Sequence, residues 1–311
     1  MSELDEKVKT SIERLKGFES VAEKHADTGE KGYYLAFSGG KDSVVIKALA
    51  DMAGVKYDAH FRLTSVDPPE LVRFIKDKYT DVHIDIPRYK SGDDSGKQIT
   101  MWNLIPRKKM PPTRLARYCC AYLKEDGGDG RMCITGVRWA ESVNRKLNQG
   151  IVTIYGGSKK LGDEYAQNGF EQTQRGGVVL VNDNDDARQM VDACVTRHKT
   201  VLNPIIEWTD RDVWDFIRAE NIPYCGLYDE GFPRIGCIGC PQGSRKGRER
   251  DFARWPKYKR AYLRAFGKML ERMDKPGQRK NWNTAQDVFN WWMEYDIIPG
   301  QIDLLAEEDD E

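Results

Sequence analysis

No apolar run in this sequence approaches the roughly 20 residues that a bilayer-spanning helix requires, so no membrane span is expected. The opening Met1-Ser2-Glu3-Leu4-Asp5-Glu6 lacks the basic patch and apolar stretch of a secretory leader. A cytoplasmic location is therefore the expectation. Net charge is missing as well: 49 Lys and Arg balance 49 Asp and Glu, so bulk charge points to no polyanionic partner. Histidine is scarce, and His25, His60, His83 and His198 show no paired spacing. Surface or satisfied core positions are expected for them rather than metal ligation. The chain has no internal repeat and no low-complexity tract, which excludes a repeat array.

What is present suits a soluble globular protein: 40% apolar and 32% charged residues in 311, enough for one large domain or two small ones. Basic residues gather at Arg107-Lys108-Lys109 and along Arg245-Lys246-Gly247-Arg248-Glu249-Arg250, and acids close the sequence from Glu307 to Glu311. Such runs are ordinarily solvated surface and gain meaning only beside a site that receives a polyanion. The seven cysteines fall at Cys119-Cys120, Cys133, Cys194, Cys225 and Cys237-x2-Cys240. Disulfides are disfavoured in a cytoplasmic setting, so metal or cluster ligation is the first expectation. Cys133 sits in an apolar run and reads as core, whereas Cys225 lies in a loop without an assigned role.

Apolar spacing at Val8, Ile12, Leu15, Phe18 and Val21 predicts an N-terminal helix within 1–29. Tyr33-Tyr34-Leu35-Ala36-Phe37 reads as a buried strand, followed by a glycine loop and a helix from Ser43. A strand over 57–62, a helix over 70–79 and strands near 83–86 and 131–138 continue the alternation. Strands and helices joined by short glycine and proline turns predict an α/β fold, doubly wound around a mostly parallel sheet. That domain is expected over 30–245, with 150–200 as a surface excursion from the sheet. Thr209 should cap a helix, with Asp212 at its third position. Residues 246–311 read as a helical C-terminal extension with an acidic tail, and Trp282, Phe289, Trp291 and Trp292 as helix packing.

Between the first strand and its helix lies Ser38-Gly39-Gly40-Lys41-Asp42-Ser43. The glycines allow a sharp turn that aims backbone N–H groups at an anion, and the new helix adds its positive end. Ser38 and Ser43 can donate, Lys41 can neutralise phosphate oxygens, and Asp42 can hold Mg²⁺ shared with phosphates. A Walker loop has a longer spacer, so this is not one. The segment resembles the PP-loop of the adenine-nucleotide α-hydrolase superfamily, which implies ATP binding and release of pyrophosphate as an acceptor is adenylated.

Further segments resemble one branch, the phosphoadenosine phosphosulfate (PAPS) reductase-like family. Arg117-Tyr118-Cys119-Cys120 is similar to its Arg-x-Cys-Cys segment, and Gly136-Val137-Arg138-Trp139-Ala140-Glu141-Ser142 to its Gly-x-Arg-x-x-Glu-Ser segment. Pro204-Ile205-Ile206-Glu207-Trp208 through Asp212-Val213-Trp214 follows, and then Ile222 to Gly231 leads into Ile235-Gly236-Cys237-Ile238-Gly239-Cys240-Pro241. The resemblance implies that Arg138 faces the nucleotide or its acceptor, with Gly136 beside it and Arg145 as a second cation. It also implies a [4Fe–4S] cluster on Cys119, Cys120, Cys237 and Cys240, the pairing used by adenylyl-sulfate reductases. Zinc accepts the same four ligands, ordinary buried thiols are a third reading, and Cys194 could replace one of the adjacent pair.

Two departures separate this sequence from sulfonucleotide reductases. No cysteine follows Cys240, where those enzymes carry a Glu-Cys-Gly-x-His segment, and the loop has the form used by ATP-cleaving members. The expectation is therefore an ATP pyrophosphatase closest in motif to iron–sulfur members such as DNA phosphorothioation subunits. ATP and Mg²⁺ would be bound, a nucleic acid would be the acceptor along the basic strips, and a cysteine desulfurase would supply sulfur. Homo-oligomerisation is common in such proteins. PAPS or adenylyl-sulfate reduction is the first alternative, and a non-catalytic nucleotide-binding regulator the second.

Overall fold

The computed structural model describes residues 2–25, 32–155, 170–173, 178–180, 191, 195, 199–274 and 281–295. Its contacts divide the chain into two compact units, each assembled from separated segments. The first comprises Met1–Leu63, Asp67–Ile86 and Asp126–Gly236; the second comprises Thr64–Val66, Pro87–Glu125 and Cys237–Glu311. The expected boundary at 245 therefore does not describe the division, because residues 87–125 pack with the C-terminal helices. Among the described residues, no helix is long and apolar enough to cross a membrane.

The first unit opens with α1 (Glu3–Gly17) and α2 (Glu19–Lys24), then β1 (Tyr33–Ala36) and α3 (Lys41–Ala53). It continues with β2 (Tyr57–Arg62), α4 (Pro69–Lys78) and β3 (His83–Asp85). Strands β1, β2 and β3 pair in parallel, and β4, found later in the chain at Met132–Ile134, pairs in parallel with β1. Parallel strands need a crossover, which α3 and α4 supply, and they bury both faces. That is why Tyr33-Tyr34-Leu35 is continuously buried. Helix α1 is anchored by Arg14, whose guanidinium donates twice to Glu207 at 2.7 and 2.9 Å.

A short helix α7 (Val143–Asn148) precedes β5 (Val152–Tyr155), β6 (Phe170–Gln172), β7 (Val178–Leu180) and β8 (Lys199–Leu202). The helices numbered between α4 and α7 belong to the second unit. The sheet order is β3-β2-β1-β4-β8-β5-β7-β6, with β8 parallel to β4 and the last three strands antiparallel. This corrects the expected surface excursion: its described parts extend the sheet. Val152, Ile154, Val178 and Leu180 are fully buried, but runs this short and glycine-broken carry no periodicity that a sequence reading can detect. The mostly parallel α/β architecture itself is as expected. Helix α8 (Asp210–Ala219) starts at the Thr209 cap, with Asp212 returning to the Thr209 backbone at 2.7 Å.

The second unit is helical. It contains α5 (Met101–Lys108), α6 (Tyr118–Leu123), α9 (Arg245–Arg254), α10 (Pro256–Met273) and α11 (Ala285–Trp292). Helix α10 packs against α5, α9 and α11, burying Tyr262, Ala265, Phe266, Met269 and Leu270 at a helical period. Phe289 and Trp292 are buried on α11, as helix packing predicts. The basic strips are mixed: Arg107, Lys109, Arg245, Lys246 and Arg250 are exposed, but some of their cations are engaged within the fold. Arg248 is 2% exposed and donates to the Trp292 carbonyl and the Glu294 carboxylate. Arg107 pairs with Asp94 and lies over the Tyr89 ring, and Lys108 lies over Tyr122.

A polar network lies on the β1–β2–β3 side of the sheet. The His60 ring stacks between Tyr34 and His83, with centroids 4.4 and 5.0 Å away. Its Nδ1 is 2.9 Å from Asp85 and its Nε2 is 2.8 Å from Asp58. Ionised carboxylates only accept, so both ring nitrogens donate and the ring carries its proton. Burial alone would push His60 down, but the two carboxylates outweigh it and hold the ring up at about 9. Arg131 adds a second cation on Asp58. A raised folded-state value stabilises below the unfolded histidine range and loses that stabilisation as pH climbs through the folded value. Urea unfolding at pH 6, 7.5 and 9.5 should therefore show wild-type stability falling relative to His60→Gln by about 2 kcal/mol. An equal difference between the two proteins at all three pH values would refute the imidazolium assignment.

Candidate functional site

The loop after β1 turns at Gly39, where φ is +72° and an added Cβ would lie 2.7 Å from Leu71 and 2.8 Å from Ile75. Only glycine accepts both the left-handed backbone and that contact. Gly40 is the N-cap of α3 and offers no side chain to its first turn. The N–H groups of that first turn are thus left to other acceptors. Ser43 Oγ donates to the Gly40 carbonyl at 2.8 Å and accepts from Ser38 Oγ at 3.3 Å. In this arrangement Ser43 braces the turn, where the sequence suggested a donor toward phosphate.

Lys41 is 6% exposed, with Nζ 3.5 Å from Asp210 and 3.6 Å from Asp42. Arg138 is 1% exposed and joins the same carboxylates: Nε to Asp42 at 2.7 Å and one terminal nitrogen to Asp210 at 2.6 Å. Its other terminal nitrogen donates to the Trp208 carbonyl at 3.2 Å. Burial disfavours the Arg138 cation, but Asp42 and Asp210 more than compensate and raise its pKa. Burial likewise works against the Asp210 anion, and Arg138 and Lys41 overcome it to lower that carboxyl. Two cations and two anions therefore neutralise one another at the start of α3, near the mouth of a phosphate-type loop.

Gly136 reaches this cluster by contact. A Cβ there would lie 2.8 Å from Asp42 Cβ and 3.0 Å from the Asp42 backbone. Its absence lets the end of β4 approach α3. Arg145 is placed differently from the expectation. It sits on α7 in an ion pair with Glu141, and Glu141 in turn accepts from the Arg138 backbone N–H at 3.1 Å. No hydrogen bond or ion pair among the described residues joins Arg145 to Lys41 or Asp42.

Two members were missed from the sequence. Asp210 lay within a quoted segment at the start of the capped helix α8, where acids are common for dipole reasons, and carried no role. Tyr228 was part of a quoted segment but carried no role. Its hydroxyl accepts from the Lys41 backbone N–H at 2.8 Å, and the Ile235 backbone N–H supports the same oxygen. Burial raises the phenol's pKa, so it is neutral. With its lone pairs engaged, its own proton remains available to an acceptor in the loop.

In the second unit, α6 carries Cys119 and Cys120, and a turn closed by Cys240 N–H to the Cys237 carbonyl at 3.1 Å carries the other pair. Gly239 within that turn has φ +70° and abuts Phe252. The turn is tied down by Arg114, which donates to the Pro241 carbonyl at 3.2 Å, and by Asp251, which accepts from Gly239 at 3.0 Å. Cys119 and Cys120 share a hydrogen bond, which raises Cys119, with Cys237 and Cys240 adding to the rise. The same bond lowers Cys120 to about 6. The fully buried Tyr262 is raised by burial and then by Cys237, Cys119 and Cys240, so it borders the same group of sulfurs. Among the described residues no three His, Cys, Asp or Glu side chains are arranged to hold a metal ion. The all-thiol donor set is chemically of the kind that either zinc or an iron–sulfur cluster takes. Cys194 lies outside the described residues. Cys133 is core, packed with Tyr34 and Val201, and Cys225 is buried.

Residues 32–243 match the phosphoadenosine phosphosulfate reductase domain, well over half the chain. An adenosine 5'-phosphosulfate reductase of Neisseria meningitidis serogroup A is 45% identical over 53 residues, 17% of this chain and 22% of that protein. An uncharacterized protein of Methanocaldococcus jannaschii is 25% identical over 243 residues, 74% of this chain and 41% of that one. The chain thus spans well under half the length of these relatives. Among solved structures, the PAPS reductase of Candida auris in its phosphate complex aligns at 15% identity and TM-score 0.39, over 76% of this chain and 96% of that one. The FMN adenylyltransferase of Candida glabrata aligns at 14% identity and TM-score 0.41, over 76% and 62%. With a match across 32–243, the chain belongs to the phosphoadenosine phosphosulfate reductase domain family.

Proposed function

We propose that the chain binds Mg²⁺–ATP on Ser38 to Ser43, cleaves it between the α and β phosphates and adenylates a nucleic-acid acceptor for sulfur insertion. The observation that carries this reading is the neutral cluster of Lys41, Asp42, Arg138 and Asp210 at the start of α3. Reductases and adenylating enzymes both need to hold phosphates. A lysine and a buried arginine each held between two carboxylates can exchange those partners for a metal-bound triphosphate without leaving a buried charge unpaired. Asp42 would turn to Mg²⁺, which prefers carboxylate and phosphate oxygens. Lys41 and Arg138 would turn to the α and β phosphates, where negative charge builds as the bond breaks. Tyr228 would donate its proton to a phosphate oxygen. The acceptor oxygen attacks the α phosphorus, the bond to the bridging oxygen breaks, and pyrophosphate leaves with the electron pair.

A sulfur nucleophile from a partner cysteine desulfurase would then displace AMP from the activated acceptor. The buried Cys119 and the half-buried Cys120, Cys237 and Cys240 are the residues that would hold a [4Fe–4S] cluster, which when bound supplies iron-ligated sulfur chemistry. A second reading, sulfonucleotide reduction, is favoured by the partial match to adenosine 5'-phosphosulfate reductase. It requires a nucleophilic thiol to attack sulfate sulfur.

Incubation with α-labelled ATP, Mg²⁺ and a nucleic-acid mixture should yield AMP and pyrophosphate. Asp42→Asn and Arg138→Lys should each lower kcat/KM by about 100-fold, and Tyr228→Phe should raise KM about fivefold with little change in kcat. Release of ADP and phosphate, or turnover of phosphoadenosine phosphosulfate to sulfite in place of ATP cleavage, would overturn the first reading. Anaerobically purified protein should contain about four irons and matching sulfide, lost in Cys237→Ala/Cys240→Ala. Colourless, iron-free wild-type protein would remove the cluster from the proposal.

A further inference from the structure

Helix α10 of the second unit carries a feature that its local sequence conceals. Lys257, Arg260, Arg264, Lys268 and Arg272 are all exposed, and their spacing of three or four residues places them on one side of the helix. Over 15 residues the row is about 22 Å long. Glu271, near its end, is the helix's sole carboxylate. Arg272 feels Asp94. Among the described residues Lys257, Arg260, Arg264 and Lys268 make no ion pair. A row of unpaired cations costs self-repulsion in a chain whose net charge is zero, and a polyanion laid along it would relieve that cost.

We propose that the exposed stripe of α10 binds the phosphate backbone of a nucleic acid. Its length matches about six phosphates of one strand. The opposite face of α10, with Tyr262, Phe266, Met269 and Leu270, is buried against the rest of the unit, so the helix has no apolar face to insert into a membrane. The stripe also holds no exposed aromatic or aliphatic anchor of the kind a protein interface centres on. What remains is recognition by charge, independent of base sequence. This rests on and extends the reading of a nucleic-acid acceptor, and it adds a longer row to the strips at 107–109 and 245–250, of which Arg107 and Arg248 are engaged within the fold.

The test is a fluorescence-anisotropy titration of the full chain with a labelled duplex and a labelled single strand, without ATP, from 50 to 200 mM salt. Wild type should bind with affinity that falls steeply with salt. Arg260→Gln/Arg264→Gln/Lys268→Gln should weaken binding at least tenfold and lower the log–log salt slope by about one per cation removed. An unchanged melting temperature and unchanged Mg²⁺–ATP affinity would show that fold and loop survive. Equal affinity and slope in the variant would overturn the proposal. So would binding to anionic lipid vesicles but not to either oligonucleotide. A wild type that binds neither oligonucleotide until Glu307 to Glu311 are changed to Gln or Asn would also overturn it, assigning the stripe to the chain's own acidic residues. Because ATP is absent, loss of ATP cleavage in the earlier assay leaves this result untouched.

Discussion

The buried guanidinium of Arg138 holds the candidate nucleotide site together. It leaves the end of β4, binds Asp42 at the start of α3, and reaches Asp210 and the Trp208 carbonyl at the start of α8. Three segments remote in sequence thus meet on one planar cation. Lysine could not replace it, since a single ammonium lacks the fork needed to serve three acceptors in fixed directions. The same contacts keep a buried charge compensated.

Close approach of backbone makes that geometry possible. Gly136 brings β4 against Asp42, and Gly39 brings the loop against Leu71 and Ile75 of α4. Tyr228 closes the arrangement by accepting from the Lys41 N–H. The site is therefore organised in advance, with Lys41, Arg138, Ser38 and Ser43 each held by a partner. Preorganised donors of this kind contribute most where charge develops in a reaction.

The second unit uses a different economy. Its core is aromatic, with Phe252, Tyr262, Phe266, Phe289 and Trp292 in mutual contact. Around it stand the cysteine turn, tied by Arg114 and Asp251, and the buried Arg248 that fastens the end of α11. One cation that reads as surface strip in the sequence, Arg248, is structural here, because its long guanidinium side chain satisfies a carbonyl at a helix end. The exposed cations of α10 are interleaved with core residues along the chain and separate only when the helix forms.

The sequence by itself determined the α/β architecture, the phosphate loop, the Thr209 cap and the family. Each of these rests on local order: a buried run, a glycine turn, a helical period, or motifs in a given sequence. Local order also placed Lys41, Asp42, Gly136 and Arg138 among the candidates. The antiparallel extension of the sheet was not legible, since three- and four-residue strands carry too few positions to show a period. Asp210 and Tyr228 were hidden for another reason: one resembles a helix-start acid and the other a core aromatic until residues 41, 138 and 210 are brought together. Arg145 had the right chemistry and the wrong neighbour, Glu141. Which side chains share a site is a property of long-range packing, and only the tertiary structure decided it.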